Sequence, residues 1–208
     1  MLTPAMGKVL IVAEWSMVTC GLSMKVVGVV GSPRLGGNTE ILTRIALEEI
    51  RKGGIRVELV TLAGRKIAPC DACKSCARTG KCHFKDDFDL LYAKVKKADG
   101  IILATPVYYG AATPQITAFI SRFYSMEGKP LKRKVGGPIV VARRAGKNFT
   151  FAQLMFFFMI HEMIVPGSTY WNVAFGRNKG EVEKDEEGVS TIRNFAHNVA
   201  WLVKKISK

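Results

Sequence analysis

Four cysteines crowd into thirteen residues of this 208-residue chain: Cys70, Cys73, Cys76 and Cys82. The run Cys-x2-Cys-x2-Cys sets three thiols within seven residues, and Cys82 follows after five more. One turning loop can then present three thiolates to a single inorganic centre, with the fourth arriving shortly after. This is the spacing by which short loops hold a [4Fe–4S] cubane. Structural zinc prefers two cysteine knuckles separated by a longer connection, so zinc is the second reading and uncoordinated or redox-active thiols the third. A disulfide framework spreads its cysteines to close long loops and belongs to secreted chains, which this packing does not fit. The expected setting is reduced and cytoplasmic. His83 directly follows Cys82 and reads as a surface histidine, because four cysteines complete the set. Lys74, Arg78, Lys81 and Lys85 surround the motif. Their charge would favour the reduced, more anionic state of a cluster and draw in an acidic redox partner. Cys20 stands far upstream and receives no role.

A second constellation begins at Gly31. The stretch Gly31-Ser32-Pro33-Arg34-Leu35-Gly36-Gly37-Asn38-Thr39 brings together backbone amides, the hydroxyls of Ser32 and Thr39, the Asn38 amide and the Arg34 cation. At the start of a helix these make a nest for a phosphate dianion. The lysine and magnesium-binding hydroxyl of a triphosphate loop are missing, as is Gly-x-Gly-x-x-Gly of the dinucleotide fold, so a terminal phosphomonoester fits best. A tight turn that merely caps the helix is the plainer alternative. A third stretch, Thr105-Pro106-Val107-Tyr108-Tyr109-Gly110, offers adjacent aromatic rings and a glycine, suited to a flat aromatic ligand approached by backbone.

Positioning these loops falls to alternating strands and helices. Lys25 to Val30 is a short apolar run expected as a strand buried on both faces. Asn38 to Lys52 carries helical apolar spacing and stops at Gly53-Gly54. Arg56 to Leu62 alternates as a strand, and Asp86-Asp87 opens a helix reaching Ala98. Strands are expected over Gly100 to Thr105, Pro138 to Ala142 and Ser168 to Ala174. Helices are expected over Pro114 to Tyr124, with proline in the first turn, over Thr150 to Ile164, and over Glu186 to Ile206. Five strands alternating with helices predict a parallel sheet covered on both faces, with ligands at the carboxyl ends of its strands. The loops at Gly31, Thr105 and Ala142 are therefore the ones to carry a site. Residues 1–23 read as an extension upstream of a natural start at Met24, or as an extra strand. Residues 24–208 form the ligand-binding domain, with the cysteine segment inserted at 69–85.

Together, Ser-Pro-Arg-x-Gly-Gly-Asn-Thr, Pro-Cys-x2-Cys-x2-Cys-x5-Cys-x3-Asp-Asp-Phe and Thr-Pro-Val-Tyr-Tyr-Gly resemble the iron-sulfur flavoproteins, a branch of the NADPH-dependent FMN reductases, from Met24 to the C-terminus. The resemblance implies a flavodoxin-like doubly wound sheet of five parallel strands in the order 2-1-3-4-5, one FMN, one [4Fe–4S] cluster, and electron transfer as a dimer or larger assembly. It further implies that Ser32, Arg34, Gly37, Asn38 and Thr39 hold the FMN phosphate. Pro106, Val107, Tyr108, Tyr109 and Gly110 would line the ring, and the four clustered cysteines would ligate iron. Where similar proteins carry glycines after the fourth strand, this chain has Ala142-Arg143-Arg144-Ala145-Gly146. Arg143 beside the ring would stabilise reduced flavin electrostatically.

Composition bounds the alternatives. Apolar residues make up 48% and mean hydropathy is +0.13, which excludes intrinsic disorder. The longest apolar run, Leu154 to Ile160, is too short to span a membrane. That run clothes a helix on every side and is expected to form a subunit contact in a homodimer or homotetramer. The formal charge of +14 is dispersed, and its densest group, Lys129, Lys132, Arg133 and Lys134, lacks interleaved aromatics, so nucleic acid is disfavoured. The leading expectation is an electron carrier linking a ferredoxin-like donor to an acceptor, with no general acid or nucleophile required. An NAD(P)H-dependent FMN or quinone reductase without a functional cluster is the enzymatic alternative, and a basic zinc-binding nucleic-acid module the distant one.

Overall fold

The computed structural model describes residues 24–123 and 129–207; the expectations placed on 1–23 and on Tyr124 lie outside them. The described strands are β1 (Lys25–Val30), β2 (Arg56–Thr61), β3 (Gly100–Pro106), β4 (Val135–Ala142) and β5 (Val173–Phe175). The helices are α1 (Asn38–Lys52), α2 (Ser75–Thr79), α3 (Phe88–Lys96), α4 (Pro114–Ser121), α5 (Lys147–Ile160) and α6 (Glu186–Ile206), with a 3-10 turn at Glu181–Lys184. All strand pairs are parallel and the order is β2-β1-β3-β4-β5, the flavodoxin-like arrangement.

Strand period explains why β1 is apolar throughout. Val26 and Val30 pack toward α1 and α6, among Leu42, Ile50, Phe195 and Val199. Val27 and Val29 face the other layer, with Phe88, Phe119, Leu154 and Phe158 from α3, α4 and α5. Both faces of the central strands are thus dry, and polarity is confined to their ends.

Several element boundaries differ from expectation: α3 is shorter at both ends, α4 stops at Ser121, and β4, β5 and α5 are shifted further. β4 starts at Val135 because Gly136 and Gly137 run under the rings of Phe158 and Phe195, a packing that glycines do not advertise in sequence. β5 is only Val173–Phe175; upstream of it Ser168 and Thr169 turn their hydroxyls to Thr191 of α6 instead of joining the ladder. α5 starts earlier, at Lys147, and stops at Ile160, before Glu162 adopts φ 54°. Within the run Leu154 to Ile160, the side chains of Leu154, Phe157 and Phe158 enter the core, whereas Phe156, Met159 and Ile160 are exposed.

Candidate functional site

The carboxyl ends of β1, β3, β4 and β5 open into one cavity of about 420 Å³. Ser32, Arg34, Gly37, Asn38 and Thr39 line it from the first loop, Pro106, Val107 and Tyr108 from the second, and Arg143 from the third. The first loop is pressed tightly on its support. Gly31 donates its N–H to Ala104 O at 2.7 Å, and its carbonyl accepts from Thr113 Oγ1 at 2.6 Å. A Cβ on Gly31 would lie 2.6 Å from that of Ile116, so the close approach to α4 admits only glycine. Ser32 Oγ accepts from Arg34 N at 3.1 Å and shapes the turn. Glu40, buried, reaches back to Gly36 N at 2.8 Å and pairs with Arg44. Burial pushes its carboxyl pKa up, but the Gly36 amide and Arg44 outweigh this and hold it below the ordinary value. The first amides of α1, at Asn38 and Thr39, have no partner within the helix and belong to an end that favours anions.

Tyr108 to Ala111 form a two-residue hairpin, with reciprocal bonds of 2.8 and 2.9 Å between the end residues. Tyr109 (φ 50°) and Gly110 (φ 78°) occupy its central positions, the double left-handed geometry of a type I′ turn. This places Tyr108 on the cavity and leaves the Tyr109 side chain fully exposed at the tip; neither Tyr109 nor Gly110 is among the cavity-lining residues.

One wall of the cavity comes from a loop the sequence reading did not interrogate. Gly176, Arg177, Asn178 and Lys179 follow β5 and close over the first loop. Asn38 is what ties them down: its Nδ2 donates to Asn178 O and its Oδ1 accepts from Gly180 N, both at 2.8 Å. Its side-chain amide is thus engaged by protein. Arg34, Arg143, Arg177 and Lys179 all border the cavity, and among the described residues no carboxylate lines it. Such a field attracts a phosphorylated ligand from a distance. The sign for this wall was available: a Gly-Arg-Asn-Lys-Gly run at the carboxyl end of a parallel strand is where ligands bind.

The cysteine loop leaves β2 and folds along α4. Cys70 donates its N–H to Ser121 Oγ at 3.1 Å. Ala72 (φ 60°) and Lys74 (φ 58°) are left-handed and turn the chain on either side of Cys73, after which the short helix α2 presents Cys76. Burial first, then the charges of Cys82 and Cys70, push the Cys76 thiol pKa up. Ala72 donates its N–H to Cys70 Sγ at 3.4 Å. Cys73 stands at the exposed tip with Asp71 and His83, the ligand atoms of the three lying within 4.8 Å of one another. His83 is therefore paired with Asp71, at 2.8 Å. Four thiols on one short loop form a sulfur donor set whose chemistry fits an iron–sulfur cluster.

The NADPH-dependent FMN reductase family model matches residues 24–178. An iron-sulfur flavoprotein of Methanocaldococcus jannaschii is 40% identical over 193 residues, covering 89% of this chain and 100% of the relative. That of Methanosarcina thermophila is 35% identical, covering 89% and 98%. The chain belongs to the iron-sulfur flavoprotein branch of the FMN reductase family. The fold agrees with a flavodoxin, WrbA-like protein of Agrobacterium tumefaciens, at TM-score 0.64, 19% identity, and coverage of 88% and 99%. It is a flavin redox protein in class. Arg143 after β4 and Arg177 and Lys179 after β5 give this chain's cavity wall its positive charge. Lys147, at the start of α5, stands apart from them: its ammonium lies over the Phe175 ring, and burial pulls its pKa below the ordinary lysine value.

Proposed function

We propose that the chain is an electron-transfer flavoprotein binding FMN in the basic cavity and one [4Fe–4S] cluster in the cysteine loop. The carrying observation is the cavity itself: three predicted loops and the loop after β5 converge on a space bordered, among the described residues, by four cations and no carboxylate. Ser32, Arg34, Gly37 and Thr39 take the FMN phosphate together with Arg177 and Lys179. Asn38 acts by fixing the 176–180 loop against the phosphate turn. Pro106, Val107, Tyr108 and Arg143 border the ring, and Tyr109 and Gly110 set the hairpin that carries Tyr108. Cys70, Cys73, Cys76 and Cys82 ligate the cluster. When bound, FMN supplies one- and two-electron chemistry and the cluster one-electron chemistry. The protein's task is to hold both groups and set their potentials.

A ferredoxin-like carrier of acidic surface is the partner this reading assigns, on the strength of Lys74, Arg78, Lys81 and Lys85 around the loop. The exposed side chains Phe149, Phe156, Met159 and Ile160 of α5 support a homodimer or homotetramer. No helix among the described residues is long and apolar enough to cross a membrane. The test is a reductive titration of anaerobically purified protein. FMN plus cluster takes up three electrons per chain, and a Cys82→Ser variant that retains flavin takes up two. Two electrons in the unaltered protein would favour the reductase reading. The Asp71, Cys73 and His83 donor set supports zinc as the occupant of the loop tip in that case.

A further inference from the structure

Arg122 follows α4 directly, is only 2% exposed, and takes no part in either site described above. Its Nη1 donates to the carbonyl of Ala68 at 3.0 Å and to Asp86 Oδ2 at 2.9 Å. Ala68 lies just before Cys70 and Asp86 just after Cys82, so one guanidinium spans the two ends of the cysteine loop. Asp86 completes the junction by accepting from Ala68 N at 2.9 Å and Phe88 N at 3.1 Å. The guanidinium carbon lies 5.0 Å from the Phe84 ring centroid and 4.5 Å from that of Phe88. Ser121, the preceding residue, holds the Cys70 amide.

Burying a charge is costly, and a buried ion pair is often no more stabilising than apolar residues of the same volume. Here the cost is raised further, because Nε and Nη2 are buried with no hydrogen-bond partner among the described residues. Core packing alone therefore does not account for an arginine at this position. What arginine offers is a rigid planar group that engages a carbonyl and a carboxylate at once, which neither lysine nor methionine reproduces. We infer that Arg122 is a positioning residue that latches the neck of the cysteine loop and, with Ser121, holds Cys70 ready for ligation. This rests on the cluster reading for its purpose, but the latch itself is made entirely by protein atoms.

The experiment compares Arg122→Met, Arg122→Lys and Ser121→Ala by amide hydrogen exchange in metal-free protein, with FMN affinity as the check on the fold. Loss of a charge-assisted bond at the neck raises exchange across 68–86 by about tenfold or more in the Met variant, leaving β1 and β3 unchanged. Lysine restores only part of the protection. Ser121→Ala accelerates exchange at Cys70 and its neighbours. After anaerobic reconstitution with iron and sulfide, the Met variant loses iron to air about tenfold faster than the parent, the same weakened contact read as a rate. Unchanged exchange in the Met and Ala variants overturns the latch. If the Met variant no longer binds FMN, Ser121→Ala and Asp86→Asn decide by the same exchange criterion. Iron-free parent protein would instead sink the cluster reading and leave the exchange result standing.

Discussion

Replacing Thr113 by valine tests how the two cavity loops are joined. Thr113 is fully buried, and its hydroxyl donates to the Gly31 carbonyl at 2.6 Å, while its amide donates to Thr105 Oγ1 at 3.1 Å. Valine keeps the shape and removes the donor, leaving a carbonyl in the dry interior without this partner. An unsatisfied buried acceptor costs about 1–3 kcal/mol. At about 2 kcal/mol, a chain of this size loses roughly 4–8 °C in Tm. Thr117→Val is the control: the same chemical change at a partly exposed site whose hydroxyl bonds only to the carbonyls of its own helical turn. It should stay within about 0.5 kcal/mol of the parent. Urea denaturation of the FMN-free proteins gives both numbers. Thr113 does not line the cavity, so FMN affinity should change by less than about tenfold, under 1.4 kcal/mol. A Thr113→Val protein as stable as the parent would refute the claim that this hydroxyl joins the loops.

Other consequences are more quickly stated. Riboflavin, lacking the phosphate, should bind at least about a hundredfold more weakly than FMN, since two charge-assisted bonds are each worth about 1.5–3 kcal/mol. The gap should narrow in Arg34→Ala and Lys179→Ala, as flavin fluorescence titration will show. Gly110→Ala should cost about 1–2 kcal/mol through its φ of 78° alone, because nothing among the described residues lies within 4 Å of the added Cβ. Denaturant unfolding measures it. Hydrogen bonds from Lys25 and Lys94 hold the Glu58 carboxyl below its ordinary pKa. Its contribution is therefore present above the ordinary glutamate range and lost as pH falls through the lowered value. Glu58→Gln should destabilise at pH 7 by under about 1 kcal/mol and become neutral in acid. Sedimentation of Phe156→Glu should show a smaller species than the parent; a monomeric parent would reject the α5 contact.

Much of this fold was legible because buried strands and amphipathic helices write their periods into the sequence. β1, α1 and α6 begin and end where the pattern places them, from Lys25, Asn38 and Glu186. The misses have physical reasons. Gly136 and Gly137 extend β4 by contributing backbone alone, so no apolar pattern marks them. The approach of Asn38 to Asn178 and Gly180 links residues far apart in sequence, and no local pattern foretells it. Tyr108 and Tyr109 look equivalent as letters, yet the I′ turn sends one to the cavity and the other to solvent. Arg122 is the furthest from legible: it falls inside the helix expected over Pro114 to Tyr124, where nothing local marks it as buried, and only the fold brings Ala68 and Asp86 around it.

The account stands or falls on the contents of the cysteine loop. Iron and acid-labile sulfide, measured per chain on protein purified without oxygen, should be equal and in the proportion of one [4Fe–4S] cluster. Either should drop to background when Cys76 is replaced by alanine. Protein that carries flavin but no iron or sulfide would contradict it.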